Sequence, residues 1–357
     1  MSLRARLIAI YLPQFHPVAE NDEWHGKGFT EWTNVVKAKP LFKGHYQPLL
    51  PSELGFYDLR VAEVRKEQAN LAKDHGIEGF CYWHYWFGNG KRILEMPFNE
   101  ILASRSPDFP FCLGWANASW TGIWYGMKDN VILEQQYLGD ADDKRHFYEM
   151  LVAFKDSRYM KVNGKPIFLI YNPLEHPYMG EFMKHWNQLA QDEGMPGMYF
   201  IAAIRGDQKL AKFDGVTFID PFEFFSLGKL RSFIQGLAHK YFGHPRRIVR
   251  YRQLLDFLKS RKLQSNEIPL VVPNFDNTAR SGKMGTVIPD PNPDLFEEIL
   301  ENAVSQVSHK PKQERIIILE AWNEWAEGNY VEPDIRFGRG FLMAIKNVIL
   351  GKKDVGL

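Results

Sequence analysis

Two glutamates three positions apart, Glu324 and Glu327, stand in the segment WNEWAEG, interleaved with Trp322 and Trp325. Two carboxyl groups that converge can divide acid and base work between them. Glycosidic bonds call for such a pair: one group protonates the leaving oxygen, and the other supports the charge developing at the anomeric carbon, directly or through a nucleophile. In a helical turn, residues three apart share a side. Neighbouring indoles would wall the site, lower its dielectric and raise one carboxyl toward neutrality, the condition for a proton donor. Asn323 could hold a sugar hydroxyl, and Gly328 permits a sharp turn. Glu320 and Glu332 are reserve carboxylates, with Glu320 expected to be the more buried. Glu-x-x-Glu is also common on solvated helix faces, so the position of the pair in the fold has to decide.

Eight short apolar runs bounded by turn residues could position these groups: Leu7–Leu12, Gly79–Trp83, Phe111–Trp115, Ile167–Tyr171, Met198–Ala203, Gly215–Ile219, Leu270–Pro273 and Ile316–Ala321. Most are continuous rather than alternating, as in parallel strands covered on both faces. Helical patterns separate most of them, among them 58–75, with Val61, Val64, Gln68, Leu71 and Ala72 near one face, and 142–154, 180–192, 252–262, 293–307 and 338–350. Eight βα units predict a (β/α)8 TIM barrel, with a doubly wound sheet as the alternative. The long basic stretch between Phe222 and Ile268 reads as an insertion after strand 6. No linker or repeat interrupts 1–357, so one domain is expected.

Barrel chemistry sits at the C-terminal strand ends and in the loops that follow. Those positions carry Tyr11, His16, Glu31, Trp32 and Asn34 after the first run, and Trp83, His84, Tyr85 and Trp86 around the second. Trp115, Asn117 and Trp120 follow at the third, and Tyr171 and Asn172 at the fourth. Arg205 and Asp207, then Asp220 and Glu223, follow the fifth and sixth; Asn274, Asp276 and Arg280 follow the seventh, and Trp322, Asn323 and Trp325 the eighth. Polar loops are ordinary. Large aromatics beside them are not, and indole faces suit the apolar face of a pyranose ring. His84 has no metal-ligand partner at a recognised spacing, so a sugar or structural hydrogen bond is expected.

Composition removes several function classes. Lys plus Arg number 44 against 43 Asp plus Glu, so no basic field favours nucleic acid. The two cysteines, Cys81 and Cys112, lie in apolar runs and read as buried free thiols. Gly88, Gly90 and Lys91 lack phosphate-loop spacing, no dinucleotide fingerprint follows a strand, and no Gly-x-Ser-x-Gly elbow occurs. No metal or cofactor is expected. The N-terminus lacks the pattern of a signal peptide, and no run nears the ~20 apolar residues of a membrane span, so a cytoplasmic location is expected.

WNEWAEG followed by YVEPD resembles the NEW-x-EG-x-x-x-EP signature of glycoside hydrolase family 99, the endo-α-mannosidases. With AIYLPQFHP, GFTEWTNV, GFCYWHYWF, LGWANASW and KPIFLIYNP, the chain resembles more closely still the WbsX-type proteins of bacterial polysaccharide gene clusters, over residues 7 to 345. Those proteins are labelled glycosyltransferases and carry a family-99-like domain. The resemblance implies a (β/α)8 barrel. It also implies that Glu324 acts as base on the sugar 2-hydroxyl, giving a 1,2-anhydro sugar, while Glu327 is acid to the leaving oxygen and then base to water. Ala326 stands where the mannosidases carry His, which leaves that sugar subsite open.

Three functions are expected in turn: a retaining hydrolase of an α-mannoside-like oligo- or polysaccharide; a glycosyltransferase of lipopolysaccharide or capsule synthesis; a non-catalytic glycan-binding barrel. The second would take a nucleotide sugar or a lipid-linked sugar, which the basic insertion 239–252 could meet.

Overall fold

The computed structural model describes residues 3–122, 127–204, 212–219 and 229–351. Eight parallel strands form the centre: β1 (Arg6–Tyr11), β2 (Gly79–Trp86), β3 (Phe111–Trp115), β4 (Lys165–Ile170), β5 (Tyr199–Ile204), β6 (Gly215–Phe218), β7 (Leu270–Val271) and β8 (Ile316–Leu319). Each sequence run coincides with one of them. Their order is β6-β5-β4-β3-β2-β1-β8-β7. The ends meet as well. Val216 of β6 donates to the Asn266 carbonyl at 2.9 Å and accepts from Ile268 at 2.7 Å, in the segment that enters β7. The sheet is thus a (β/α)8 barrel.

The outer layer comprises α1 (Ala62–Asp74), α2 (Met96–Ser104), α3 (Asp140–Lys155), α4 (Met179–Asp192), α5 (Lys229–Phe242), α6 (Tyr251–Ser260), α7 (Pro293–Val307) and α8 (Gly340–Ile349). Local chemistry sets their ends. Asn292 caps α7 by accepting from Asp294 and Leu295, with Pro293 at the first helical position. Strands β1 and β8 are buried on both faces because the helices cover one side and the barrel interior the other. α2 has no counterpart in the sequence reading. Of the face expected on α1, Gln68, Leu71 and Ala72 are buried and Val64 packs against the core, while Val61 is exposed; Arg65 and Ala69 are buried as well. The insertion after β6 holds α5, α6 and the short strand Arg247–Ile248, which pairs in parallel with Thr286–Val287.

No helix among the described residues is long and apolar enough to cross a membrane.

Candidate active site

The chain leaves β8 and crosses the barrel mouth. Trp322 N–H donates to the Ile10 carbonyl at 2.7 Å, tying the crossing to β1. Asn323–Glu324 then pairs antiparallel with Asn329–Tyr330, and a single 3-10 turn, Trp325–Glu327, joins them. This hairpin, rather than an α-helix, sets the spacing of the two glutamates. Gly328 closes it at φ 56°, where a Cβ would meet the Asp276 backbone N at 2.8 Å. Asp276 N–H can therefore reach the Glu327 carbonyl at 2.7 Å and fasten the turn to the β7 loop.

The residues beside the glutamates support from below. Asn323 is buried, accepting from Leu12 N–H at 2.8 Å and donating to the Leu12 carbonyl and Tyr57 Oη. Trp325 stacks on Tyr330 at 3.8 Å and donates to Glu332 at 2.6 Å. Glu332 also accepts from Gln68 and Tyr57. Burial pushes the Glu332 carboxyl up to about 7, against the pull of those donors. Glu332, not Glu320, is the more buried reserve acid.

Three carboxylates converge on one cation. Arg280, on the short helix Thr278–Ser281 after β7, donates through Nη2 to Glu324 at 2.9 Å, through Nη1 to Glu327 at 2.5 Å and through Nε to Glu31 at 3.0 Å. Side-chain exposure is 7% for Arg280, 0% for Glu31, 11% for Glu324 and 31% for Glu327. Burial raises Glu324 to about 8; Glu327 and Glu31 add to the rise and Arg280 opposes it. Asp276 holds the loop beneath Arg280: it accepts from His45 or shares its proton at 2.7 Å, and accepts from Gln47 and from the backbone and hydroxyl of Thr278.

Above this cluster opens a cavity of about 420 Å³. Glu324, Glu327, Arg280 and Glu320 contribute its acidic and basic lining, and Trp83, Tyr85, Trp120, Tyr171 and Phe275 its aromatic walls. Gln14, Ser119, Thr121 and Asn277 add polar atoms. Trp83 lies against the neighbouring strand at Gly114, where a Cβ would sit 2.9 Å from its ring.

Of the residues singled out in the sequence, Glu320, Glu324, Glu327, Trp83, Tyr85, Trp120, Tyr171 and Arg280 line the cavity, and Glu31 joins through Arg280. The others among the described residues do not line it. Strand alternation decides four of them. On β2, Trp83 and Tyr85 face the cavity, whereas His84 turns outward to His146 of α3, with Nε2 atoms 2.8 Å apart, and Trp86 stacks on the same imidazole at 4.6 Å. On β1, Ile10 faces the cavity and Tyr11 turns to Gln68 of α1 at 2.6 Å. Trp115 packs outward against Phe182 and donates to the Trp86 carbonyl.

The remainder brace loops. Asn117 bonds both backbone groups of Asn172. Asn274 accepts from Tyr330 N–H. Trp32 donates to the Tyr57 carbonyl and packs on Trp325, and Trp322 packs on Phe80. His16 is buried, and burial lowers its pKa. Trp322 and Trp325 thus sit below the site rather than walling it. Arg205, Asp207, Asp220 and Glu223 lie outside the described residues. Asp140, Asp143 and His185 bring ligand-type atoms within 4.8 Å of one another on α3 and α4, and none of them lines the cavity.

Sequence reasoning did not single out His25, Phe275 or Asn277, and it placed Gln14 and Arg280 at the strand ends without giving either a role. Arg280 had a signal: it is a cation just past a barrel strand.

Paired acids and aromatic walls at the mouth of a barrel are the groups that glycosidic-bond chemistry needs. The chain belongs to the family described as "Glycosyltransferase WbsX", whose model matches residues 7–345. It is 36% identical, over 99% of its length, to WxcX of two strains of Xanthomonas campestris pv. campestris, whose own description is "uncharacterized". The match covers 51% of those proteins, so the chain spans about half their length. Its fold is similar to that of a "glycoside hydrolase-like protein" (TM-score 0.61, 15% identity, 97% of this chain and 94% of the other). It is also similar to the family 99 endo-α-mannosidase of Bacteroides thetaiotaomicron (TM-score 0.56, 14% identity, 97% and 96% covered).

Proposed function

We propose that the chain cleaves an α-mannoside-like glycosidic bond with retention, through a 1,2-anhydro sugar. One observation carries the reading: Glu324 and Glu327 share the Arg280 guanidinium at the cavity, one sunk in the wall and the other open to water. Glu324 takes the proton of the 2-hydroxyl. The 2-oxygen forms a bond to the anomeric carbon as the bond to the leaving oxygen breaks, and Glu327 gives its proton to that oxygen. Glu327 then takes a proton from water, whose oxygen attacks the anomeric carbon. The bond to the 2-oxygen breaks, and Glu324 returns the proton.

Each acid suits its step. A carboxylate held near pKa 8 is a stronger base than an ordinary one, as proton removal from a hydroxyl requires. Glu327 must meet bulk water in the second half, and it is the more exposed of the two. Trp83, Tyr85 and Trp120 would stack the sugars. Arg280 would keep the pair from neutralising each other with one shared proton. Incubation with α-mannan oligosaccharides, followed by NMR of the first-formed anomer, tests this. Retention by the wild type, and cleavage lost in Glu327→Gln, are expected; inversion or no cleavage by the wild type, or unchanged cleavage by the variant, overturns it.

The family description supports a second reading, transfer to an acceptor hydroxyl in place of water. The charge development at the anomeric carbon is the same. Calorimetry with nucleotide sugars tests for such a donor, and release of a disaccharide rather than a free sugar marks transfer.

A further inference from the structure

We infer that α5 (Lys229–Phe242) is an interfacial helix that docks the protein on an anionic membrane surface. The helix is built inside out. Leu230, Phe233, Ile234, Leu237 and Tyr241 recur at helical spacing and form a stripe ~100° wide. In a packed helix this stripe would be buried. Here it faces water: exposure is 74% at Leu230, 64% at Phe233 and 55% at Ile234. The opposite, polar side meets the protein. Arg231 donates to Gln253, Gln235 donates to the Ile248 carbonyl and accepts from its N–H, and His239 Nδ1 lies 2.9 Å from the His244 carbonyl oxygen. These polar contacts fix which way the apolar face points.

Charge complementarity names the occupant. From Phe224 to Leu255 the sequence has no acidic residue, while it holds Lys229, Arg231, Lys240, Arg246, Arg247, Arg250 and Arg252. Arg250 and Arg252 pair with Asp290 and Glu298. Lys240 and Arg246 are exposed, and Lys283 adjoins Arg246, whose N–H donates to the Lys283 carbonyl at 2.8 Å. An apolar stripe carrying Phe and Tyr, edged by lysine and arginine, matches the interface of anionic headgroups and acyl chains.

The helix is joined to the cavity. Arg247–Ile248 pairs with Thr286–Val287, and Thr286 N–H donates to Asn277, which lines the cavity next to the helix of Arg280. Docking would therefore bring the loop of Arg280 toward the headgroups, where sugars on lipid carriers lie. That consequence rests on the proposed function; the docking itself does not.

Co-sedimentation of the chain with phosphatidylglycerol–phosphatidylethanolamine vesicles and with phosphatidylcholine vesicles tests the inference. Binding to the anionic vesicles alone, falling as salt rises, is expected. Phe233→Glu with Ile234→Glu should lower it at least ~10-fold, and Lys240→Glu with Arg246→Glu to a similar extent, with unchanged circular dichroism and cavity ligand binding. Absent vesicle binding, or binding that both double variants retain, overturns it. So does a dimer in sedimentation equilibrium that the Phe233→Glu, Ile234→Glu variant dissolves, because a second copy is then the occupant.

Discussion

Arg280 Nη2 lies 2.9 Å from a Glu324 carboxylate oxygen, in a setting where neither side chain is more than about a tenth exposed. The same guanidinium bonds Glu31 and Glu327, so one positive charge serves three acids. Removing the cation strands buried carboxylates, which is costlier than losing a surface pair. Arg280→Met should destabilise the fold by about 3 kcal/mol in urea unfolding. An unchanged midpoint would show that the cluster is not held as buried ions.

The two glutamates should separate kinetically. Glu324→Gln should lower kcat by ~10² or more on every substrate, because no other base reaches the 2-hydroxyl in the proposed scheme. Glu327→Gln should lower it as much on natural glycans yet recover on aryl glycosides whose leaving group needs no proton. Equal recovery in both variants would dissolve the division of labour.

Burial raises Glu324 to about 8, so a base role has a defined pH signature. The base works when ionised. Cleavage should climb as pH rises toward 8 and fade below it, read as kcat/KM against pH. A profile that falls over the same range would make Glu324 the proton donor instead.

Glu332 has its effect on stability. Its folded pKa, raised to about 7, lies above the ordinary 4.5, so the folded state holds the proton more tightly than the unfolded chain. Its contribution to stability is full below about 4.5 and is lost as pH rises through about 7. Glu324 shifts in the same direction. The difference between wild type and Glu332→Gln isolates Glu332: the variant's Tm should fall less steeply between those two pH values. Parallel Tm curves would contradict this.

The glutamate pair, the eight strand runs and the acid-free basic stretch are all legible along the chain, because each is a matter of residue type and local spacing. Which aromatics face the cavity is not. In GFCYWHYWF, alternation admits Trp83 and Tyr85 and turns His84 and Trp86 out to His146, but only the covering helix reveals which parity points inward. Trp322 and Trp325 flank the acids in sequence but pack beneath them in space, Trp322 on Phe80 and Trp325 on Tyr330.

The sequence by itself determined a barrel whose two acids follow the last strand, since apolar runs and turn residues act locally. Only the tertiary structure decided what those acids meet. Glu31, Arg280 and Glu324 lie hundreds of residues apart along the chain at the extremes, and barrel closure alone brings a guanidinium from the β7 loop and a carboxylate from the β1 loop to the same point. The apolar face of α5 divides the same way: its periodicity is written in the residues, but that it turns toward water follows from polar contacts made on its other side.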